Sequence, residues 1–253
     1  DDQDLFIGRG AILDGIQQGL AEDERLFLLY GKPRIGKTSL LNQLGLRLGN
    51  AYDVVLLPWT GLRGEAPLWR LIEAMAQASG QTPPDHASVI AAQEGQYEGL
   101  THNTAAVSNL LRGLAGPSGG PLRLYCFDAV PLVELADASA WRRALRALQA
   151  ALAPDLGIGV VVALQARPVQ VNLALPGVRQ FTVDRFTARE TEDLLMIAVR
   201  GDMTYDLDAT AQIHRFAGGE PHFVQMFGRV LFEQRLRRGW VDVPEVSHAA
   251  ETV

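Results

Sequence analysis

The sequence has one cysteine, Cys126, and two lysines, Lys32 and Lys37, in 253 residues. A single thiol excludes an internal disulfide framework and fits a reducing compartment. The 23 basic residues are therefore almost all arginine, and 29 acidic residues leave a net charge of −6. That balance supplies no general affinity for nucleic acid or for an anionic membrane. Long apolar runs are also lacking. The longest, around Ile158 to Leu164, falls far short of the ~20 residues that span a bilayer. The opening DDQDLFIGRG has neither the basic nor the apolar region of a signal peptide. It begins at Asp1 rather than Met, which reads as a piece of a longer protein. There is no internal repeat and no low-complexity tract. What remains is an ordinary globular composition, 47% apolar, 21% charged and 7% aromatic, and the expected location is cytoplasmic.

The pattern along the chain alternates strands with helices. Leu26 to Tyr30 (LFLLY) is a continuous apolar run, as in a strand covered on both faces. After GKPRIGKT, the residues Leu40, Leu41, Leu44 and Leu48 recur at helical spacing. Further strands are predicted at Val54 to Leu57, Leu122 to Phe127, Ile158 to Leu164 and Val178 to Val183. Helices open at Pro67, with Leu68, Leu71, Ile72 and Met75 as the apolar stripe, and around Trp141, Leu145, Leu148 and Leu152. Residues 80 to 102 lose periodicity and read as a loop or insertion ahead of a short helix. This alternation predicts a five-stranded parallel sheet flanked by helices, over residues 1 to 185. From 186 to 253 the pattern is helical. Thr187 and Glu190 make a capping box, a second helix runs from Leu207 to Phe216, and Pro221 opens a third that ends before Gly239.

One motif carries chemistry. GKPRIGKT, Gly31 to Thr38, fits G-x-x-x-x-G-K-[ST] between a predicted strand and a predicted helix, the context of a phosphate-binding P-loop. Gly31 and Gly36 let the backbone wrap an anion; Pro33, Arg34, Ile35, Gly36 and Ser39 belong to the loop and its exit, with N–H groups offered from Arg34 onward. The following helix adds its positive end. Lys37 reaches the β- and γ-phosphates and Thr38 offers its hydroxyl to Mg²⁺. The second Mg²⁺ ligand is expected at the end of another buried strand, and Asp128, closing RLYCFD, is placed there. The next position, where such ATPases commonly carry a water-orienting Glu, is Ala129, and Glu134 is the nearest downstream acid. Either the natural protein hydrolyses slowly, or residue 129 is an engineered change that traps ATP. A guanine-reading [NT]-K-x-D element is excluded, because both lysines lie in the loop itself. Adenine nucleotide, ATP or ADP, follows by elimination.

Taken in order, these segments resemble the STAND branch of the AAA+-related P-loop ATPases, the signal-transducing switch ATPases, along nearly the whole chain. FIGR, Phe6, Ile7, Gly8 and Arg9, is similar to the box that precedes the P-loop and lines the adenine pocket. The arginine-containing loop resembles that of bacterial members, and YCFD resembles the Walker B strand. LQAR ends at Arg167, similar to the arginine that contacts the γ-phosphate. GGEP resembles the lid element whose proline, here Pro221, packs on the base. The resemblance implies sheet order 5-1-4-3-2. Two departures stand out: GAIL follows Gly-Arg in place of an acid, and Ala129 replaces Glu.

The resemblance implies an ATP/ADP switch module of a signalling or defence protein, with slow or impaired hydrolysis. Its partners would be other domains of a larger protein and further copies of itself. The rival reading is a DNA-associated AAA+ ATPase of the origin-binding or transposition-loader type, disfavoured by the charge and by the lack of a basic track. The five histidines lack metal-ligand spacing. Arg142, Arg143 and Arg146 read as a polar helix face, and Cys126 reads as packing.

Overall fold

The computed structural model of the chain describes residues 6–59, 66–89, 102–116, 119–131, 135–166, 173, 175–199, 202–235 and 239–253. They form two compact units. One comprises Ile12–Lys32 and Leu40–Thr182. The other comprises the chain up to Ala11, Pro33–Ser39 and Val183–Val253.

The first unit is a parallel sheet of β1 (Leu26–Tyr30), β2 (Tyr52–Pro58), β3 (Leu122–Pro131), β4 (Ile158–Gln165) and β5 (Arg179–Thr182), in the order β2-β3-β4-β1-β5. This is the expected 5-1-4-3-2 order, and β4 lies between β1 and β3. All pairings in it are parallel, so each crossover needs a helix and both faces are covered. That is why LFLLY and IGVVVALQ carry almost no polar residue: all five positions of β1 are buried, as are seven of the eight of β4.

The two faces are distinguished by alternation. Leu26, Leu28 and Tyr30 join Tyr125, Phe127 and Val162 in one core. Over it lie α3 (Pro67–Ala78), α4 (His102–Arg112) and α5 (Leu135–Ala151), with α5 packed on the other two. Leu68, Leu71, Ile72 and Met75 are fully buried there, the stripe expected of α3. On the opposite face run α1 (Gly10–Ala21) and α2 (Lys37–Leu48). The small residues of α1 explain its close approach: a Cβ at Gly19 would stand 2.6 Å from the Phe27 ring, and one at Gly15 2.6 Å from Phe181. Arg179 then ties β5 to α1, donating to the Gly15 carbonyl at 3.0 Å and pairing with Glu22 and Glu24 at 2.7 and 2.8 Å.

The second unit contains α6 (Ala188–Ala198), α7 (Leu207–Ala217), α8 (Pro221–Arg235) and α9 (Val243–Ala249). Thr187 and Glu190 form the expected capping box, and Gly218, at φ +57°, closes α7. A second box, Asp242 with Glu245, starts α9. To this helical bundle the structure adds a ladder that periodicity did not signal. Strands β6 (Thr204–Tyr205) and β7 (Trp240–Val241) pair in parallel, and two residues are too few to show a period. The core joins Leu195, Ile213, Val224, Phe227, Leu231 and Val241. Among the described residues, no helix is long and apolar enough to cross a membrane.

Leu28 is fully buried at the centre of β1, paired to Val162 on one side and Gln180 on the other. Leu28→Ala is expected to cost about 2–5 kcal/mol, read as a lower urea midpoint of the sheet unit. A loss under ~1 kcal/mol would contradict its central place.

Candidate functional site

The candidate phosphate loop follows from how β1 ends. Gly31 is buried, and its N–H donates to the Leu164 carbonyl at 3.2 Å, so the chain leaves the sheet edge anchored to β4. Arg34 then takes φ +61° and Gly36 φ +97°, with Ile35 between them on the negative side. Alternation of hand over successive residues turns their N–H groups toward one concave face, the geometry that cradles an anion. Ile35, 2% exposed, pins the loop from below. Helix α2 begins at Lys37, so the N–H groups of Lys37, Thr38 and Ser39 belong to the first turn and have no intrahelical acceptor. Pro33, Arg34, Thr38 and Ser39 are exposed, whereas Lys37 is 5% exposed. Such a loop and helix end can hold a polyphosphate, with positive charge supplied by Lys37 and by the helix itself.

Asp128 is on β3 and half-buried. The strand does not end there, as the sequence suggests, but continues to Pro131 across an irregularity between Phe127 and Val130. Phe127 and Val130 both lie in the core under α3 and α5, which strict alternation forbids for residues three apart. The bulge resolves this by inserting one extra residue. It also puts Ala129 in the left-handed region at φ +60°, a conformation that costs an alanine roughly 1–2 kcal/mol. The position that commonly holds a water-orienting Glu is therefore both without a carboxylate and strained. Thr38 in one unit has an exposed hydroxyl and Asp128 in the other a carboxylate; each by itself is a hard oxygen donor of the kind that suits Mg²⁺, which takes few protein ligands and keeps several waters. An ion held by such donors would supply positive charge against a polyphosphate.

The FIGR box is held by the helical unit. Ile7 packs against its core. Arg9 is 7% exposed; its guanidinium donates to the Asp184 carbonyl, lies 3.9 Å from Glu190 and stands 5.0 Å above the Phe186 ring. Burial draws the pKa of this group below its ordinary value, against the opposing pull of Glu190 and Asp184. Glu190 serves twice. One carboxylate oxygen accepts from the Thr187 N–H at 2.7 Å, completing the helix cap, and the other faces Arg9. The TARE pattern revealed the first role. The second had no signal, because Arg9 and Glu190 are far apart in sequence. Gly8 is at φ +75°, where L side chains are strained, and a Cβ there would have to displace the Glu190 carboxylate.

GGEP is built by the same logic. Gly218 and Gly219 are both left-handed, at φ +57° and +69°. The Phe186 N–H donates to the Gly219 carbonyl at 2.7 Å. Pro221 is buried as the first residue of α8. Thus Phe6 to Arg9, Pro33 to Ser39 and Pro221 all belong to one contact unit, while Gly31 and Asp128 belong to the sheet. Arg167 and Glu134 lie outside the described residues. Cys126 is fully buried, and burial pushes its thiol up, which suits packing.

No protein-family model matches the chain, and no curated protein matches it. Solved structures do. A STAND (signal transduction ATPase with numerous domains) protein with a tetratricopeptide repeat sensor, from Pyrococcus horikoshii, aligns over 98% of this chain at 16% identity and a TM-score of 0.51. The chain spans 32% of that protein's length. A Walker-type ATPase of Pyrococcus abyssi aligns over 97% at 15% identity and a TM-score of 0.55, covering 71% of it. The RuvB Holliday junction branch migration motor of Thermotoga maritima gives 98%, 15% and 0.52, with 70% of its length covered. The fold is that of a P-loop NTPase of the AAA+ type. At these identities the likeness shows the fold alone.

A Cβ at Gly219 would stand 2.4 Å from the Phe186 carbonyl oxygen, a backbone atom that cannot swing aside. Gly219→Ala is expected to cost about 2–4 kcal/mol, from left-handed strain together with overpacking. Amide hydrogen exchange should quicken in α6 to α8 and stay unchanged in β1 and β4. Uniform quickening would show that Gly219 does not act on the helical unit first.

Proposed function

We propose that this chain is the adenine-nucleotide switch module of a larger STAND-type signalling or defence ATPase, binding ATP or ADP with Mg²⁺ and hydrolysing ATP slowly. The observation that carries the reading is the alternating-hand loop Arg34–Gly36, which runs from the buried end of β1 into the open first turn of α2. In this reading Lys37 holds the β- and γ-phosphates, Thr38 and Asp128 hold the metal ion, Arg167 senses the γ-phosphate, and Ile7 and Pro221 flank the base. The helical unit, from about residue 186 onward in this division, acts as the lid.

A switch needs different affinities for ATP and ADP in its two states. Arg167 is the residue proposed to supply that difference, since only ATP carries a γ-phosphate. Base contacts at Pro221 are common to both nucleotides and tie the lid to either. The Arg9–Glu190 pair supports this arrangement by fastening the base-side segment to the head of α6. Slow hydrolysis is supported by Ala129, which offers no carboxylate to orient water. The net charge of −6 weighs against the DNA-associated alternative. Steeply salt-dependent DNA binding would revive it.

Lys37→Ala is expected to abolish ATP binding in calorimetry while leaving the far-ultraviolet circular dichroism unchanged. Retained binding by a folded variant would refute the phosphate assignment. Ala129→Glu should raise single-turnover ATP hydrolysis at least tenfold, and on the order of 10² if the new carboxylate acts as an efficient general base. An unchanged rate would show that residue 129 does not limit the chemistry.

A further inference from the structure

The candidate phosphate loop carries a charge that its backbone geometry does not account for. Lys32, Arg34 and Lys37 stand within six residues, and no acidic residue occurs between Arg25 and Asp53. Helix α2 adds its positive end at the same place and has no acid in its first turn. Like charges gathered in this way repel one another, and a bound anion relieves the repulsion. Lys32 and Lys37 each interact with other groups of the chain, and Lys37 is 5% exposed. Arg34 is different. It is exposed, and among the described residues it makes no hydrogen bond, ion pair or ring contact.

Its backbone sets Arg34 further apart. At φ +61° a Cβ is crowded against the chain, a conformation that glycine adopts without strain and asparagine more readily than most. An anion-cradling row needs the left-handed backbone and the N–H group at this position, and no side chain. An arginine here therefore costs stability twice, through its conformation and through its charge beside Lys37 and the helix end. No contact inside the unit offsets either cost, whereas a ligand contact would. The guanidinium is a planar fork that offers a phosphate two parallel N–H donors, on a stem long enough to turn back over its own loop.

We propose that Arg34 is a specificity residue that reads a second phosphate group, so that the loop selects ligands with a diphosphate or longer chain over monophosphates. The N–H groups from Arg34 to Ser39, with the Lys37 ammonium, suffice for the oxygens of one phosphate. The donors of the Arg34 fork then fall to its neighbour, approached from the solvent side. This inference rests on the loop's being a phosphate site and deepens that reading; the base plays no part in it.

The test uses the full chain at fixed ionic strength, with pyrophosphate and ADP titrated by calorimetry and AMP by NMR. Arg34→Asn accepts the left-handed backbone and removes the fork. It should weaken pyrophosphate and ADP roughly ten- to a hundredfold, the range of a charge-assisted pair, and leave AMP within about twofold. Arg34→Lys, which keeps the charge without the fork, should fall between Arg34→Asn and wild type. The melting temperature of ligand-free Arg34→Asn should equal or exceed that of wild type, most clearly at low salt, where the lost repulsion counts most. Unchanged ADP and pyrophosphate, equal losses of ADP and AMP, wild-type affinity in Arg34→Lys, or a lower melting temperature would each overturn the proposal. Wild-type protein that binds pyrophosphate but not ADP would refute the adenine reading alone, and Arg34 would then be decided on pyrophosphate. Wild-type protein that binds neither would overturn both.

Discussion

Everything in this molecule's candidate chemistry depends on how one buried strand gives way to a helix. β1 is covered on both faces and hydrogen-bonded on both edges, so its carboxyl end is among the most constrained points of the sheet. The backbone that leaves it must expose N–H groups without letting them collapse onto one another. Left-handed residues at 34 and 36 achieve this, and the open first turn of α2 extends the same row of donors. An anion is the ligand that such a row of donors suits. The rigidity of β1 is thus what makes the loop a receptor rather than a flexible connection.

A second constraint works within the helical unit. Arg9 is a charged group almost wholly removed from water, and burial of that kind is tolerable only with compensation. The Asp184 carbonyl, the Glu190 carboxylate and the Phe186 ring supply it together. Because Glu190 also caps α6, the arginine, the helix start and the Phe186–Gly219 turn form one connected arrangement. A proposed lid that must respond to nucleotide is well served by such a connection, since displacement of any member disturbs the others. The bulge at Asp128 and Ala129 is a comparable compromise on the sheet: alternation is broken so that Phe127 and Val130 can both reach the core.

Much of this was legible in the residues. The five strands were found because parallel strands buried on both faces read as unbroken apolar runs, and the P-loop because its glycine and lysine spacing is demanding. The Thr187–Glu190 cap was visible because capping is local. Helix α1 was not, since Gly10, Gly15 and Gly19 lower its propensity, and Gly15 and Gly19 answer to the close approach of Phe181 and Phe27 on the sheet. The β6–β7 ladder and the caps of α9 were missed for want of length.

By itself the sequence determined the five sheet strands and most of the helices, their alternation, the spacing of the loop motif and the absence of a carboxylate at residue 129. These depend on short-range stereochemistry, in which each residue answers to neighbours a few positions away. Tertiary structure alone decided the second role of Glu190, the left-handed strain at Ala129 and the grouping of Pro33–Ser39 with the helical unit. Those features arise where segments far apart in the chain compete for the same space or the same charge, and no local pattern records the outcome of that competition.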